Sequence, residues 1–544
     1  MKYAQNQPKS VQKQPIKPQK FPLKSMRATI FTLFTLLICI LLLSSCRDDF
    51  ETTPSTGNLE FSRDTVFLDT VFSNIGSSTY SLKVYNRGNS LINIPNLALN
   101  RGEKSQYRLN VDGIAGKTFS NVEILPRDSI FIFVETTLDY ATFPSDSTSF
   151  LYTDAISFDT GENEQQVALV TLVQDAVFLF PKRDAEGIKE TLSLGAGTDG
   201  EDLLVDGYFL DDEELTFTNE KPYVIYGYAA VPPEKTLNIE AGARIHFHEN
   251  SGIIVANNGT LHVNGSLSMD TLATENEVIF EGDRLEPLYS NIPGQWGTIW
   301  LTAGSKNNQI SHATIKNATI GVLVDANAGD GNPTLKIDNS QIYNSSNIGL
   351  LAQTAIITGE NVVLNNSGIS SLWLSLGGNY TFKHSTIANY WTQGFRQGAA
   401  LQIDNFSPTE TGALSADLVQ ANFINCIIAG NSGEELDLRA VEDAAFNYKF
   451  TNSLIRFDDT FDVLTGTDLY NFENSAKFSE VLLSKEPNFK NPENSDLRIG
   501  EDSAANGSAL PSTAAEVPFD ILGFPRTTKP DMGAYESTIF EKDE

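Results

Sequence analysis

Four phrases of similar composition recur in the second half of the chain. They read Ala313-Thr314-Ile315-Lys316-Asn317, Ser340-Gln341-Ile342-Tyr343-Asn344, Asn361-Val362-Val363-Leu364-Asn365 and Ser385-Thr386-Ile387-Ala388-Asn389. Their final asparagines lie 27, 21 and 24 residues apart, and several phrases lead to a second apolar run such as Ile320-Gly321-Val322-Leu323-Val324. A period of this length, built from short β-type runs with Asn and Gly turns and no helical pattern, predicts the stacked coils of a parallel β-helix.

The repeat also predicts which side chains face the core. We expect the inward positions to include Ile315, Ile342, Val363 and Ile387. Asparagine tolerates the left-handed conformation of a tight corner, and its amide can bond the backbone or an Asn one coil away. The asparagines expected along one turn line are Asn317, Asn344, Asn365 and Asn389. We expect eight to ten coils over residues 221–480 and a C-terminal cap over 481–544. Leucine-rich repeats are a poorer fit because the Leu-x-x-Leu-x-Leu frame is missing.

Phrases before and after the repeats support a family resemblance. They are Pro222-Tyr223-Val224-Ile225-Tyr226-Gly227, Leu237-Asn238-Ile239-Glu240-Ala241-Gly242, Gly259-Thr260-Leu261-His262-Val263-Asn264-Gly265 and, near the end, Gly523-Phe524-Pro525-Arg526 and Asp531-Met532-Gly533-Ala534-Tyr535-Glu536. With these phrases the chain resembles right-handed parallel β-helix surface lipoproteins of the pectate-lyase-like superfamily, over about 221–538. The resemblance implies a right-handed helix, coil corners at Gly242 and Gly265, and a location at the cell surface.

An all-β domain of a different kind is expected before the helix. Over 58–175, strand-like runs alternate with turn signals, which is typical of a β-sandwich. Representative runs are Thr65-Val66-Phe67-Leu68, Tyr80-Ser81-Leu82-Lys83-Val84-Tyr85, Ser129-Ile130-Phe131-Ile132-Phe133-Val134 and Val167-Ala168-Leu169-Val170-Thr171-Leu172-Val173. The phrase Tyr85-Asn86-Arg87-Gly88-Asn89 resembles Ig-like domains of surface proteins. Residues 176–220 are predicted to form an acidic connector that also caps the helix.

The N-terminus has the layout of a secretory signal. Lys24 and Arg27 precede an uncharged run from Ala28 to Leu43, which is shorter than a membrane span needs. The following Leu43-Ser44-Ser45-Cys46 resembles the lipobox of bacterial lipoproteins. That resemblance implies removal of residues 1–45, acylation (palmitate) of the Cys46 thiol and anchoring in the outer membrane. Met26 is an alternative start, and residues 46–57 are expected to be the tether. The acidic Arg47-Asp48-Asp49-Phe50-Glu51 resembles a surface-export tag, with an ordinary solvated tether as the alternative.

Composition limits the ligands and the redox chemistry. The net charge is −31, and loss of the seven basic residues of the leader takes it to −38. So acidic a protein is not expected to bind nucleic acid. Cys39 leaves with the signal and Cys46 is the predicted lipid site, so Cys426 has no cysteine partner. Because Cys426 lies in a strand-like apolar run, we expect a buried and inert thiol.

Catalytic groupings of the β-helix enzymes are incomplete in this sequence. A polygalacturonase-like site needs Gly-His-Gly and Arg-x-Lys beside an Asp pair. The one adjacent Asp pair of the repeats, Asp458-Asp459, has neither and is expected to form a solvated turn. A pectate-lyase-like site needs Ca²⁺-binding carboxylates and a basic group that abstracts a proton. The candidates for it are Asp404, Asp437, Lys383 and Arg396.

Several other residues are weaker candidates for ligand binding. His246, His248 and His262 are an alternative metal or acid–base patch on neighbouring coils. Trp296 and Trp300 are tentative glycan contacts, because indoles stack on sugar rings, although core packing is a common role for a Trp pair. No cofactor is expected. A Ca²⁺ ion at Asp199-Gly200-Glu201-Asp202 is the alternative, but the loop lacks a full ligand set.

Two classes of function follow from these features. The first is an outer-membrane, surface-exposed lipoprotein whose β-helix is a non-catalytic binding or structural module for a polysaccharide or a surface protein. The alternative is a polysaccharide lyase or glycoside hydrolase acting on an extracellular polysaccharide. The missing catalytic groupings favour the first.

Overall fold

The computed structural model describes residues 52–143, 147–196, 201–409, 412–526 and 528–540. Over these residues the chain is almost entirely β, with one short α-helix at Pro511–Glu516. Two β assemblies follow each other along the chain. The first is a pair of packed sheets, and the second is a set of three long parallel sheets.

The N-terminal assembly consists of two sheets that share one core. The strands of its first sheet are Thr52–Pro54, Thr65–Phe72, Leu91–Leu99, Thr118–Ile124, Ser149–Phe158 and Gln165–Gln174; those of its second are Glu60–Phe61, Tyr80–Tyr85, Tyr107–Val111, Ile114–Gly116 and Ser129–Thr136. Most neighbours are antiparallel, but Thr65–Phe72 pairs in parallel with Gln165–Gln174. Alternate residues such as Leu82 and Val84, and Ile132 and Val134, face the shared core and are fully buried.

Three parallel sheets form the second assembly, which is a β-helix. Sheet A contains Val177–Leu179, Tyr223–Ile225, Arg244–Phe247, Val278–Gly282, Ala313–Lys316, Gln341–Ser345, Val363–Ser367, Thr386–Asn389, Ile427–Gly430, Leu454–Ile455 and Leu482–Leu483. Sheet B contains Thr191–Ala196, Asp202–Phe209, Tyr228–Val231, Gly252–Val255, Ile299–Leu301, Ile320–Val324, Ile348–Gln353, Ser370–Ser375, Leu401–Asp404 and Leu436–Arg439. Sheet C contains Thr216–Phe217, Thr236–Glu240, Thr260–Asn264, Asn308–Ser311, Leu335–Asp338, Ile356–Glu360, Gly378–Lys383, Leu418–Ile424, Phe446–Thr451 and Phe478–Ser479.

Each complete coil contributes one strand to each sheet, and these strands pair in parallel with the equivalent strands one coil away. The inward side chains of all three sheets form one continuous apolar core. Identical residue types stack along that core. Phe382, Phe423, Phe450 and Phe478 lie nearly parallel on sheet C, with neighbouring ring centroids 5.5, 5.0 and 5.6 Å apart. Residues 176–220, expected as a connector, contain the first strand of each helix sheet and an antiparallel hairpin, Thr191–Ala196 with Asp202–Phe209.

The predicted core positions hold on three coils and shift by one residue on the fourth. Ile315, Ile342 and Ile387 are fully buried in the core. On the remaining coil Leu364 pairs with both Ile342 and Ile387, so Leu364 is the inward residue. Val363 points outward and is buried under the C-terminal residues instead. Two consecutive valines before Leu364 hide the alternation, which explains the shift.

The same shift affects the predicted line of asparagines between sheets A and B. Asn317 and Asn344 are in register and both have left-handed φ, and Asn344 Nδ2 donates to Asn317 Oδ1 at 3.3 Å. The next position is occupied by Asn366, whose Nδ2 donates to Asn344 Oδ1. Asn365 lies one residue earlier and donates to Pro492 O at 2.8 Å. Asn389 ends the line by bonding the backbone of Ser367.

A second line of left-handed residues lies between sheets C and A. Its members are His312, Asn339, Asn361, His384, Asn425 and Asn452. The C-terminal strap, which we define as residues 487–526 and 528–540, runs along this line. Asn361 Nδ2 donates to Phe519 O at 2.9 Å, and Asn452 Nδ2 donates to Ser508 O at 3.1 Å. The strap therefore covers the outer side chains of sheet A and closes that edge of the helix.

Candidate functional site

An apolar row runs along the outer face of sheet B. It consists of Trp300, Leu323, Leu351 and Trp373, which pair in that order on four consecutive strands and are all half-buried. We call this row the apolar strip. Parallel strands lie about 4.8 Å apart, so the two indoles are separated by about 14 Å along the helix axis. The strip is therefore straight and has an aromatic side chain at each end.

A carboxylate holds each indole of the apolar strip in place. Trp300 Nε1 donates to Asp325 Oδ2 at 2.7 Å, and Trp373 Nε1 donates to Asp404 Oδ2 at 2.7 Å. Both carboxylates lie one coil after their indole, in the neighbouring outward row. Burial raises the pKa of the Asp325 carboxyl above its usual range. Because the polar edge of each ring is bound to the protein, its apolar face is the part left for a ligand.

One end of the apolar strip enters a cleft under the hairpin strands Thr191–Ala196 and Asp202–Phe209. The hairpin bends over the sheet, and its Leu192 packs on Ala230 and Ile254 of the outer face. The cleft has a volume of about 420 Å³ and is lined by Leu194, Phe209, Trp300, Thr302 and Asp325, among others. Apolar walls with a few polar groups at the rim are typical of small-molecule and sugar sites.

The two tryptophans predicted as glycan contacts have different positions. Trp300 is on the strip, whereas Trp296 is 1% exposed, stacks on Phe247 with ring centroids 4.2 Å apart and donates from Nε1 to Lys316 O. Trp296 is a core residue and cannot contact a glycan. Trp373, Leu323 and Leu351 were missed. Each follows an inward residue and precedes another, as Trp300 does between Ile299 and Leu301, and this alternation was the available signal.

The residues of the predicted lyase grouping do not come together. Lys383 lies on sheet C and pairs with Glu360 and Glu516. Arg396 forms a two-point ion pair with Glu435, with both side chains almost completely buried, so its charge is neutralised inside the protein. Only Asp404 and Asp437 share a face, at the Trp373 end of the apolar strip, and Asp437 pairs with Arg439 at 2.5 Å.

Asp458-Asp459 forms a turn. Asp459 accepts hydrogen bonds from the backbone amides of Val463, Leu464 and Thr465, which together lower the pKa of its carboxyl. This is the role expected of an Asp that closes a loop.

The three histidines of the alternative patch are separated. His246 is buried against Phe72 of the N-terminal assembly, with ring centroids 4.9 Å apart, and burial lowers the pKa of its imidazole. His248 Nδ1 lies 2.7 Å from Asp283 Oδ2. His262 is on the outer face of sheet C. Among the described residues, no group of three or more His, Cys, Asp or Glu side chains is arranged to hold a metal ion.

Some predicted features fall outside the described residues. Cys46 and the whole signal lie there, and so do Asp199 and Gly200 of the Ca²⁺ candidate loop. Cys426 is fully buried, and burial raises the pKa of its thiol to about 12. In the described part of the chain, no helix is long and apolar enough to cross a membrane.

Comparison with known proteins gives little more. No protein-family model matches the sequence, and a search of curated proteins finds no match. A family 123 glycoside hydrolase from Clostridium perfringens shows a faint likeness, with 8% identity over 22% of this chain and 26% of that chain and a TM-score of 0.15. The PapD-like domain 7 of human CEP192 has 9% identity over 23% of this chain and 88% of that chain, with a TM-score of 0.15. The catalytic unit of a GH87 α-1,3-glucanase from Streptomyces thermodiastaticus has 13% identity over 69% of this chain and 83% of that chain, with a TM-score of 0.21. The match thus spans about a quarter of the first of these proteins. TM-scores this low carry no argument about activity.

Proposed function

We propose that this protein is a lipid-anchored, surface-exposed binding module that holds a polysaccharide along the apolar strip. The observation that carries the proposal is the pair of indoles, Trp300 and Trp373, fixed by carboxylates at the two ends of one straight outward row. Pyranose rings present apolar C–H faces that stack on such rings, while their hydroxyls bond neighbouring carboxylates and amides. The outward row beside the strip offers the half-buried Gln353 for this purpose.

The rest of the chain has a supporting role in this proposal. Cys46 is the acylated residue, six positions before the first described strand residue, Thr52. The two-sheet assembly is an Ig-like spacer. In support, Asn86 of the Ig-like phrase is fully buried, and its Nδ2 donates to Ser90 O and Ile124 O, which fixes the turn between two strands. The β-helix, right-handed by the family resemblance, is then displayed away from the membrane.

The alternative is a polysaccharide lyase or glycoside hydrolase that uses the same strip. It is favoured by the position of Asp404 and Asp437 at the Trp373 end. Asp404, however, already accepts hydrogen bonds from Trp373, Ser375 Oγ and Leu376 N. A carboxylate used in this way is better suited to orienting the indole than to transferring a proton.

One experiment separates these functions. The mature chain, made soluble by Cys46→Ser, is incubated with a panel of neutral and acidic polysaccharides, with and without Ca²⁺. We expect retention of the protein on at least one polysaccharide without cleavage. Unsaturated uronate absorbance or new reducing ends would establish the enzyme instead. If the protein neither binds nor cleaves any polysaccharide, both functions are excluded, and a protein partner is left as the ligand.

A further inference from the structure

A second cavity lies at the corner where sheet A passes into sheet B, beside the hairpin and apart from the apolar strip. Its volume is about 590 Å³. The side chains that line it include Lys189, Asp206, Tyr226, Tyr228, His248, Glu249 and Asn250. We call it the corner cavity. It combines three aromatic rings with several planar polar groups.

Two glycines shape the floor of the corner cavity. The ring of Tyr228 lies against Gly252 and Gly297. A Cβ at Gly252 would fall 2.7 Å from Tyr228 Cε1, and a Cβ at Gly297 would fall 2.3 Å from its hydroxyl oxygen. Since real Cβ atoms do not approach that closely, only glycine lets this ring lie flat across two coils. Burial against this floor raises the pKa of the Tyr228 hydroxyl.

One wall is a histidine with a fixed orientation. The His248 ring packs on Tyr226 with centroids 4.5 Å apart at an interplanar angle of 31°. Asp283, whose side chain is only 9% exposed, lies 2.7 Å from His248 Nδ1, whereas the side chain of His248 is 49% exposed. Because Asp283 holds Nδ1, Nε2 is the ring atom left to serve a ligand. The imidazole is therefore set in advance of binding.

The charges around the corner cavity select against acids. Lys189 Nζ lies 2.5 Å from Asp206 Oδ2, so the one lysine of the lining is already neutralised. With that pair neutral, Glu249 and the nearby Asp283 give the site a negative potential. A carboxylate or sulfate group on a ligand would be repelled, whereas an uncharged polyol would not.

We propose that the corner cavity is a binding subsite for a neutral sugar residue. Tyr226 and Tyr228 provide ring faces for the C–H groups of the sugar, and His248 Nε2, Glu249 and Asn250 provide donors and acceptors for its hydroxyls. Tyr228 and Val205 border the corner cavity and pack against the cluster of Leu192, Ala230 and Ile254, as Trp300 does. A glycan bound on the apolar strip would therefore reach the corner cavity by bending around the corner between sheet B and sheet A. The proposal rests on the proposed function in that it takes the ligand to be a glycan.

The test measures affinity for neutral oligosaccharides and for uronate oligosaccharides of equal length, by calorimetry on the soluble mature chain. We expect a neutral member to bind, and both Tyr226→Ala and His248→Ala to weaken it at least tenfold. The control is His262→Ala, a histidine on the outer face of sheet C, which should leave the affinity unchanged. Unfolding midpoints show whether each variant is folded, and Tyr226→Phe, which keeps the ring, should retain binding.

The outcomes distinguish this subsite from the apolar strip. Unchanged binding by folded Tyr226→Ala and His248→Ala, or tighter binding of uronates, would overturn the corner-cavity proposal. If Trp300→Ala and Trp373→Ala abolish binding while the corner variants do not, the strip stands and the corner cavity falls. If no neutral oligosaccharide binds, the subsite is excluded even where a uronate polymer is retained on the strip.

Discussion

At the scale of single residues, the neighbours of His384 determine the protonation state of its imidazole. It occupies the step between Asn361 and Asn425 on the line between sheets C and A, and like them it has a left-handed φ. The amide of Asn425 donates to His384 Nε2 at 2.8 Å, which requires an unprotonated nitrogen. Burial, with the nearby charge of Arg526, lowers the pKa of His384 to about 2.

This imidazole should make stability fall in acid. The unfolded chain takes up a proton near the ordinary pKa of 6.5, and the folded chain does not. The contribution of the neutral His384 side chain to the free energy of unfolding is therefore complete above pH 6.5 and is lost as pH falls toward 2. The loss is up to about 1.4 kcal/mol per pH unit. His384→Asn, which matches the neighbouring coils, should reduce the slope of the free energy of unfolding against pH between 6.5 and 4.5, measured by urea denaturation. His262→Asn is the control, and an equal slope in wild type and His384→Asn would contradict the explanation.

The line of asparagines between sheets A and B gives a second test at this scale. Asn344→Ala removes the links to Asn317 and Asn366 and puts an alanine at a φ of 56°. We expect a loss of about 2–4 kcal/mol in the free energy of unfolding. Asn344→Gly loses the same links but accepts the φ, so it should be about 1 kcal/mol less destabilising. Equal losses in the two variants would show that the left-handed conformation contributes nothing.

At the scale of elements, the sequence predicted the coils well and their register less well. Phrases with one apolar residue between polar ones, such as Thr314-Ile315-Lys316, show unambiguously which residue faces inward. Val362-Val363-Leu364 does not, and the prediction chose the wrong one of three apolar residues. The C-terminal strap explains why an outward position is apolar here. The strap covers Val363 and buries it, and no local sequence pattern reveals that contact. Of the apolar strip only Trp300 was predicted, since an outward Leu or Trp between inward residues looks like more core.

The attachment of the C-terminal strap to the helix can be tested at Arg526. Its side chain is fully buried, pairs with Glu536 at 2.7 Å and donates to Asn361 Oδ1 at 2.7 Å. Arg526→Met leaves Glu536 buried without its cation, so we expect a loss of about 3–5 kcal/mol in the free energy of unfolding. The double variant Arg526→Met/Glu536→Gln should recover part of that loss, because the uncompensated charge is gone. No recovery would argue against a coupled pair.

At the scale of the whole molecule, the proposed function combines a lipid anchor at Cys46, the two-sheet assembly as a spacer and the β-helix as the binding part. The two-sheet assembly contacts the β-helix through polar side chains: Lys221 pairs with Asp175 at 2.6 Å, and Arg284 donates to Ser78 Oγ at 2.5 Å. These contacts join the two assemblies at the first coils of the helix. In the proposed function, a lipid anchor at Cys46 would therefore be connected to the β-helix, and so to the apolar strip, through the two-sheet assembly.

The location is tested on intact cells. Protease added outside should degrade the wild-type protein, and Cys46→Ser should move it from the membrane fraction to the soluble fraction, because the lipid supplies most of the membrane affinity. Cys426→Ser, which removes the buried thiol, is the matched control and should remain in the membrane. A protein that is protected until the outer membrane is opened would contradict surface exposure.

The most direct measurement is the affinity of tryptophan variants for whichever polysaccharide retains the wild-type chain. Trp300→Ala and Trp373→Ala should each weaken binding about tenfold, which is about 1.4 kcal/mol. Because the indoles are about 14 Å apart, their losses should add, giving about a hundredfold loss in the double variant. The control is Trp391→Ala, which changes a half-buried tryptophan in the loop after Thr386–Asn389, outside the strip, and it should bind like wild type. A folded double variant that binds as tightly as wild type would show that the apolar strip is not the glycan site.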